Sequence, residues 1–321
     1  MHQGKSHGSM LVAMLLFAAP MAAQPGGPPL PESARPALAL VRQGKLDEAL
    51  AIYRKSLAES PDSLPLHSAL GSLFDLMGRA TDAHAAFARA IELAATPEAK
   101  SQQERAMAMS YAFAGDCPNT VKNEEKVIAY WTTREKDDAS NAFYQEGEVA
   151  DEAARVCIDN GDLDAAAKWY KAGHDHGLKQ PDIPPVMRDL WEFRWEHAEA
   201  RIAARRGNRA EAEKHIAAAK AILDQDEQLA HGTGRGENQS QFLPYLTGYV
   251  ALYLGDYKSA AEDLQKANPN DPFIQCLLGQ AYEKLGEKDR AMECYRKASV
   301  TTAHNPPGAF ARPFARKKLG E

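Results

Sequence analysis

The sequence has no excess of positive charge, because 38 Lys and Arg stand against 44 Asp and Glu in 321 residues and the formal net charge is -6. Proteins that bind DNA or RNA hold the phosphates mainly through clustered cations, so a nucleic-acid-binding protein is disfavoured. Long runs of Val, Ile and Thr are also lacking, whereas alanine supplies 57 residues. Because alanine has the best helix propensity and little preference for strands, the composition indicates closely packed helices.

Uninterrupted apolar stretches of about 20 residues, the length of a membrane-spanning helix, do not occur. The apolar run from Met10 to Ala19 has about half that length and lies between a weakly basic start and Pro20. This pattern is typical of a secretory signal peptide over residues 1–23, and a buried N-terminal helix is the alternative. The remaining chain is therefore predicted to be exported, periplasmic or secreted, with residues 24–36 as a Pro- and Gly-rich leader.

Motifs that name a reaction are missing. Neither GxSxG nor HExxH occurs, and GTGRGE at Gly232 to Glu237 lacks the Lys-Ser/Thr of a phosphate-binding loop. His174 and His176 flank Asp175, but two imidazoles without further ligands are usually solvent-facing. We therefore expect a non-catalytic protein with no cofactor and no metal. An enzyme with a site in the loops predicted at 174–185 or 226–240 is the remote alternative.

The chain contains a repeating pattern built on seven glycines. The residue seven positions before each glycine is Ala or Gly, the residue five positions after it is Ala in six units, and the residue nine positions after it is bulky in six units. Each unit is predicted to be a helix that ends in a left-handed glycine cap, followed by a second, antiparallel helix. Because one hairpin cannot bury its own apolar face, the hairpins are expected to stack into an array. The seven glycines are Gly44, Gly78, Gly115, Gly161, Gly207, Gly255 and Gly286.

This pattern resembles the tetratricopeptide repeat (TPR) family, most clearly at Leu243 to Asp271, Leu277 to Ala298 and Ala69 to Leu93. The resemblance implies an all-α, right-handed superhelical solenoid of about seven helical hairpins, predicted over residues 37–302, with a C-terminal cap and tail at 303–321. The glycine spacings of 46, 46 and 48 in the middle of the chain exceed the 34-residue family period. We place the extra residues in a connector at 132–140, a loop at 174–185 and a loop at 226–240. A short basic helix near 313–319 is predicted as part of the C-terminal cap.

The resemblance also implies a scaffold that binds a protein or peptide partner in a concave groove lined by the first helix of each hairpin. Steps of three and four keep residues on one helical face, so offsets of -13, -10, -6 and -2 from the glycines should point into it. In the alternative view, the aromatic residues pack against the preceding hairpin and the arginines form surface ion pairs with Glu196 and Glu199. A structural subunit of an envelope or secretion assembly that uses its convex surface is the other functional candidate. The groove residues on the fifth and sixth units are Arg194, His197, Arg201, Arg205, Phe242, Tyr245, Tyr249 and Tyr253.

Two disulfides are plausible in an exported chain with four cysteines. Facing residues of a hairpin have offsets that sum to about -2, and Cys276 and Cys294 meet this condition at -10 and +8. Cys117 and Cys157 lie at neighbouring ends of adjacent antiparallel helices and form the second candidate pair. Buried free thiols are the alternative for both pairs, and the absence of a CxxC spacing disfavours zinc. The oligomeric state is left open.

Overall fold

A computed structural model describes residues 29–321, and these residues form helices joined by short turns. Two short 3-10 helices, Glu32–Ala34 and Gln239–Phe242, accompany the α-helices, none of which within 29–321 is long and apolar enough to cross a membrane. The signal peptide and most of the leader predicted above lie outside the described residues. The α-helices are α1 (Pro36–Arg42), α2 (Leu46–Glu59), α3 (Leu64–Leu76), α4 (Ala80–Leu93), α5 (Pro97–Phe113), α6 (Cys117–Asn160), α7 (Leu163–Gly177), α8 (Pro185–Arg205), α9 (Arg209–Gln225), α10 (Glu227–His231), α11 (Leu243–Tyr253), α12 (Tyr257–Leu264), α13 (Pro272–Lys284), α14 (Lys288–Ser299) and α15 (Pro306–Leu319).

Seven antiparallel hairpins follow one another as the repeat pattern predicts. All seven pattern glycines have φ between +72° and +88°, the left-handed conformation that glycine adopts without steric cost. The first helix of each hairpin ends at this glycine, and the second begins within a few residues. The hairpins are α1/α2, α3/α4, α5 with the first arm of α6, the second arm of α6 with α7, α8/α9, α11/α12 and α13/α14.

The small and bulky positions of the pattern meet inside the hairpins. A Cβ added to Gly71 would lie 2.6 Å from the Phe87 ring, and one added to Gly279 would lie 2.5 Å from the Tyr295 ring. These pairs stand at the -7 and +9 positions, so the missing side chain is what admits the bulky one. In the third hairpin the Thr120 hydroxyl donates to the Ala108 carbonyl at 3.2 Å, which joins the +5 and -7 positions. The register of this divergent unit is therefore the same.

The predicted connector at 132–140 is wrong, because this segment is helical. Helix α6 runs through it with one interruption at Asp138, where φ is -152° and ψ is 79°. The Asp138 carboxylate accepts a hydrogen bond from the Asn141 amide at 3.1 Å, so it caps the second arm of α6. One residue in extended conformation thus separates two long arms, and the extra length of this unit is helix.

The other two predicted loops are shorter than expected. Helix α7 continues to Gly177, so His174 and His176 are helical. Gly177 packs against the Trp191 indole, which holds the last turn of α7 in place. The segment 226–240 contains α10, which Asp226 caps through the Leu229 amide at 2.9 Å. The C-terminal helix begins at Pro306, seven residues before the predicted start, because Asn305 caps it through the amide of Gly308.

The last helix, α15, joins the seventh hairpin to the second and third. It packs against α13 and α14 of the last hairpin and also against α5 of the third. His304, just before it, lies 2.8 Å from the Asp75 carboxylate of α3 through Nε2, and its ring stacks on Phe113 of α5. The array therefore curves until its final helix touches the second and third hairpins.

Candidate functional site on the inner face

The first helices of the hairpins face the inside of the curve. Arg155, on the fourth hairpin, places its guanidinium 4.0 Å from the ring centroid of Phe273 and 5.9 Å from that of Tyr245, on the seventh and sixth hairpins. A side chain can reach across two hairpins only on the concave side. We call this surface the inner face; it is defined by the -13, -10, -6 and -2 positions of the third to seventh hairpins.

The eight predicted groove residues lie together on the inner face, but most of them are covered. Phe242 alone of the eight is exposed, at 40%. His197, Arg201, Tyr245 and Tyr249 are buried, and Arg194, Arg205 and Tyr253 are half-buried. A cationic strip and an aromatic strip lie side by side as expected. Their side chains fill the groove between them, so they leave little of it free.

Hydrogen bonds join the arginines to the tyrosines. Arg201 donates to the Tyr170 hydroxyl at 2.8 Å and to the Tyr245 hydroxyl at 3.3 Å. The Arg205 guanidinium lies 4.6 Å from the ring centroid of Tyr253 and donates to the Tyr249 hydroxyl at 3.3 Å. Burial raises the pKa of Tyr170 to about 12, so the phenol stays neutral as a partner of the cation. The two arginines are thus occupied inside the protein.

Four residues of the fourth hairpin complete this arrangement, and they were not singled out from the sequence. They stand at the same four offsets before Gly161. The Arg194 guanidinium pairs with Glu148 and lies 3.8 Å from Asp151, so its partners are these residues and not Glu196 or Glu199. Arg155 donates to Asp159 at 3.0 Å. Applying the offset rule to the fourth unit gives all four: Glu148, Asp151, Arg155 and Asp159.

Burial sets the protonation of these carboxyl groups. It raises the pKa of Asp151 to about 7, although the positive charge of Arg194 acts in the opposite direction. On the third hairpin Glu124 is fully buried, and burial together with the nearby Glu152 raises its pKa well above the usual range. Asp151 on the inner face and Glu124 inside the third hairpin therefore gain protons more readily than exposed carboxyl groups do.

Arginines also cap the helix ends along the edge where the hairpins turn. Arg312 of α15 is buried and donates to the carbonyls of Leu76, Ser299 and Thr301 at 2.7, 2.7 and 2.9 Å. Leu76 and Ser299 are the last residues of α3 and α14, where a helix carries partial negative charge, and Thr301 follows α14 directly after its C-cap. Burial lowers the pKa of Arg312 to about 10. One guanidinium thus ties the second hairpin to the seventh.

A partly open cavity of about 230 Å³ lies between α15 and the turns of the third and fourth hairpins. One wall is a single face of α15, on which the Phe310 and Phe314 rings stack with centroids 5.1 Å apart. The opposite wall carries polar groups, the Asp159 carboxylate and the Asn160 amide. Ala114 lines the cavity and is exposed. The full lining is Ala112, Phe113, Ala114, Gly115, Val156, Asp159, Asn160, Pro306, Ala309, Phe310, Pro313 and Phe314.

The cysteines behave differently in the two predicted pairs. Cys117 and Cys157 form a disulfide that joins the two ends of α6 across 40 residues. The predicted bridge between Cys276 and Cys294 is wrong, because both are free and buried. The Cys276 thiol points to α15 instead and donates to the Ala311 carbonyl at 3.5 Å. The offset rule ignored this terminal helix, which competes for the same side chain.

The remaining motifs are engaged locally. His174 lies 3.2 Å from the Glu192 carboxylate through Nε2, whereas His176 lies 2.7 Å from Glu146 through Nδ1. The two imidazoles therefore have different partners. In GTGRGE, the Glu237 carboxylate accepts from the Gly234 amide at 2.6 Å, so the segment folds around its own acidic residue.

Comparisons with known proteins identify the repeat. One tetratricopeptide repeat family model matches residues 40–106, and a second matches residues 274–299. The chain contains tetratricopeptide repeats. A TPR repeat-containing protein of Methanocaldococcus jannaschii is 42% identical over 60 residues, a stretch that spans 18% of this chain and 19% of that protein.

Two solved structures with low sequence identity cover most of this TPR chain. A tetratricopeptide repeat protein from Parabacteroides merdae is 15% identical, with 88% of this chain and 97% of that one covered and a TM-score of 0.46. The apo form of RapI is 11% identical, with 90% and 97% covered and a TM-score of 0.45. TPR arrays are in general scaffolds for protein interaction, because stacked repeats create extended concave surfaces.

Proposed function

We propose that this chain is an exported, non-catalytic TPR scaffold that holds a protein or peptide partner at the cavity that borders its inner face. The cavity carries the proposal, because Phe113 and Asp159 of the inner face line it together with α15 and it has room for a side chain. The predicted groove residues contribute as the rigid floor beside it. They are poor sites for a test, since replacing the buried Arg201 removes internal hydrogen bonds.

Export is supported by two features. Residues 1–23 have the pattern of a signal peptide, and the disulfide between Cys117 and Cys157 is a bond that persists mainly in oxidising compartments. We expect the mature protein to be recovered from the periplasm or medium with Gln24 as its first residue. Intact-mass measurement of the exported fraction checks this, and a chain that retains Met1 in the cytoplasm contradicts it.

Partner binding is tested at Ala114, which lines the cavity and whose exposed position tolerates substitution. A photo-crosslinking residue at position 114 is compared with one at Ala51, an exposed residue of α2 that does not line the cavity. We expect one partner to crosslink in the exported fraction through position 114 and not through 51. The Ala114→Trp variant fills the cavity mouth and should abolish this capture, whereas Ala51→Trp should not. Capture through 51 alone supports the convex-surface alternative, and equal helicity by circular dichroism controls for folding.

A further inference from the structure

The end of α5 differs from neighbouring helix ends in what meets its carbonyl groups. The last turn of an α-helix leaves carbonyls without intrahelical partners and carries partial negative charge. The carbonyls of Ser110, Tyr111 and Ala112 in α5 accept backbone amides, but within residues 29–321 no guanidinium hydrogen-bonds to this last turn, which borders the cavity. The neighbouring first helices do receive one, α3 at Leu76 from Arg312 and the second arm of α6 at Ile158 from Arg205, as does the C-cap of α11 at Leu254 from Arg209. The described ends of α1, α8 and α13 resemble α5 in lacking this contact.

The cavity combines an aromatic wall with a negative end. Phe310 and Phe314 supply the stacked wall, and the end of α5 and Asp159 face it, whereas the end of α6 is already met by Arg205 at Ile158. One oxygen of Asp159, Oδ2, is engaged by Arg155. A cavity of about 150 Å³ is large enough to hold benzene, so 230 Å³ accommodates the planar end of a long side chain and part of its stem.

We propose that this cavity binds an arginine side chain of the partner polypeptide. A guanidinium fits because its planar fork donates to several acceptors and its faces stack on aromatic rings. The chain uses the same solution at the neighbouring turn, where Arg312 lies between Phe310 and Phe314 in sequence and caps α3. The inference rests on the proposed function and names the chemistry of its partner. A partner that carries carboxylates is not proposed, because Arg194, Arg201 and Arg205 of the inner face are engaged inside the protein.

The test measures binding of a fluorescent peptide, GSFARAFSG, to the full exported chain by fluorescence anisotropy. Matched peptides carry citrulline, which is neutral and nearly the same shape, or glutamate in place of arginine. The protein variants Ala114→Glu and Ala114→Lys place opposite charges at the cavity mouth without touching a buried residue. Ala51→Glu and Ala51→Lys change the net charge equally at a distant exposed position and control for long-range electrostatics.

We expect saturable binding of the arginine peptide that Ala114→Glu strengthens and Ala114→Lys weakens, each by about two- to fivefold, as one partly exposed ion pair would. The citrulline peptide should bind more weakly and respond to neither variant. Equal binding of the arginine and citrulline peptides, tighter binding of the glutamate peptide, or no binding at about 1 mM overturns the inference. The crosslink through position 114 is scored separately, so that the scaffold proposal stands or falls on its own result.

Discussion

Removing the disulfide between Cys117 and Cys157 should destabilise the third and fourth hairpins by roughly 4 kcal/mol. The bond closes a loop of 40 residues, and the loop-entropy relation gives that cost for the greater freedom of the unfolded chain. The loop contains both arms of α6 and the break at Asp138, so the bond holds the start of the first arm next to the end of the second. Both cysteines are buried, and alanine at each position removes only a small volume.

The assay is urea unfolding of Cys117→Ala/Cys157→Ala, followed by circular dichroism, with hydrogen exchange to locate the effect. Exchange matters because an array can lose one part before another, and we expect α6 and α7 amides to lose protection first. The Cys276→Ala/Cys294→Ala variant keeps the disulfide and is the matched control: it should lose as much stability on reduction as the wild type, whereas Cys117→Ala/Cys157→Ala should lose none. If reduction leaves both the unfolding midpoint and the exchange pattern of α6 unchanged, the loop-closure reasoning is refuted.

Three further variants test the packing, the buried charge and the closure of the array. Gly279→Ala forces a methyl group against Tyr295 and should cost about 1–3 kcal/mol in urea unfolding, whereas Ser259→Ala on the exposed face of α12 should not. Asp151 has a folded pKa of about 7 against an ordinary 3.8, so the folded state binds the extra proton and wild-type stability should fall as pH rises from 4 to 7. Asp151→Asn should remove up to about 1.4 kcal/mol of that loss per pH unit, Asp164→Asn should not, and parallel pH profiles would contradict the assignment. Arg312→Ala leaves buried carbonyls unpaired and should cost about 1–3 kcal/mol with loss of exchange protection in α15, unlike Arg316→Ala; unchanged protection would show that α15 does not depend on this contact.

The repeat pattern of the sequence predicted the hairpins, because the glycine cap and the fixed offsets from it relate residues that are close in the chain. The positive φ of Gly44 through Gly286 follows from helix capping, and the contact between Gly279 and Tyr295 follows from fixed offsets within one hairpin. Burial of Arg201 does not follow from such offsets, since it depends on how far the array curves. Tyr170 and Tyr245 lie 31 and 44 residues from it and approach it only in the stacked structure.

The C-terminal helix closes the array across a long sequence distance. Arg312 and His304 reach Leu76 and Asp75, more than 200 residues earlier, and α15 packs against α13, α5 and α6. Buried ion pairs of this kind add little net stability, because desolvation offsets their attraction. A buried charge without a partner is costly, so these pairs favour the one alignment of hairpins in which every charge is paired. Arg194 of the fifth hairpin and the carboxyl groups of Glu148 and Asp151 of the fourth pair in this alignment. The cavity beside Phe310 and Phe314 is partly open and bordered by the end of α5 and by Asp159, so we expect recognition there and not at the internal arginines.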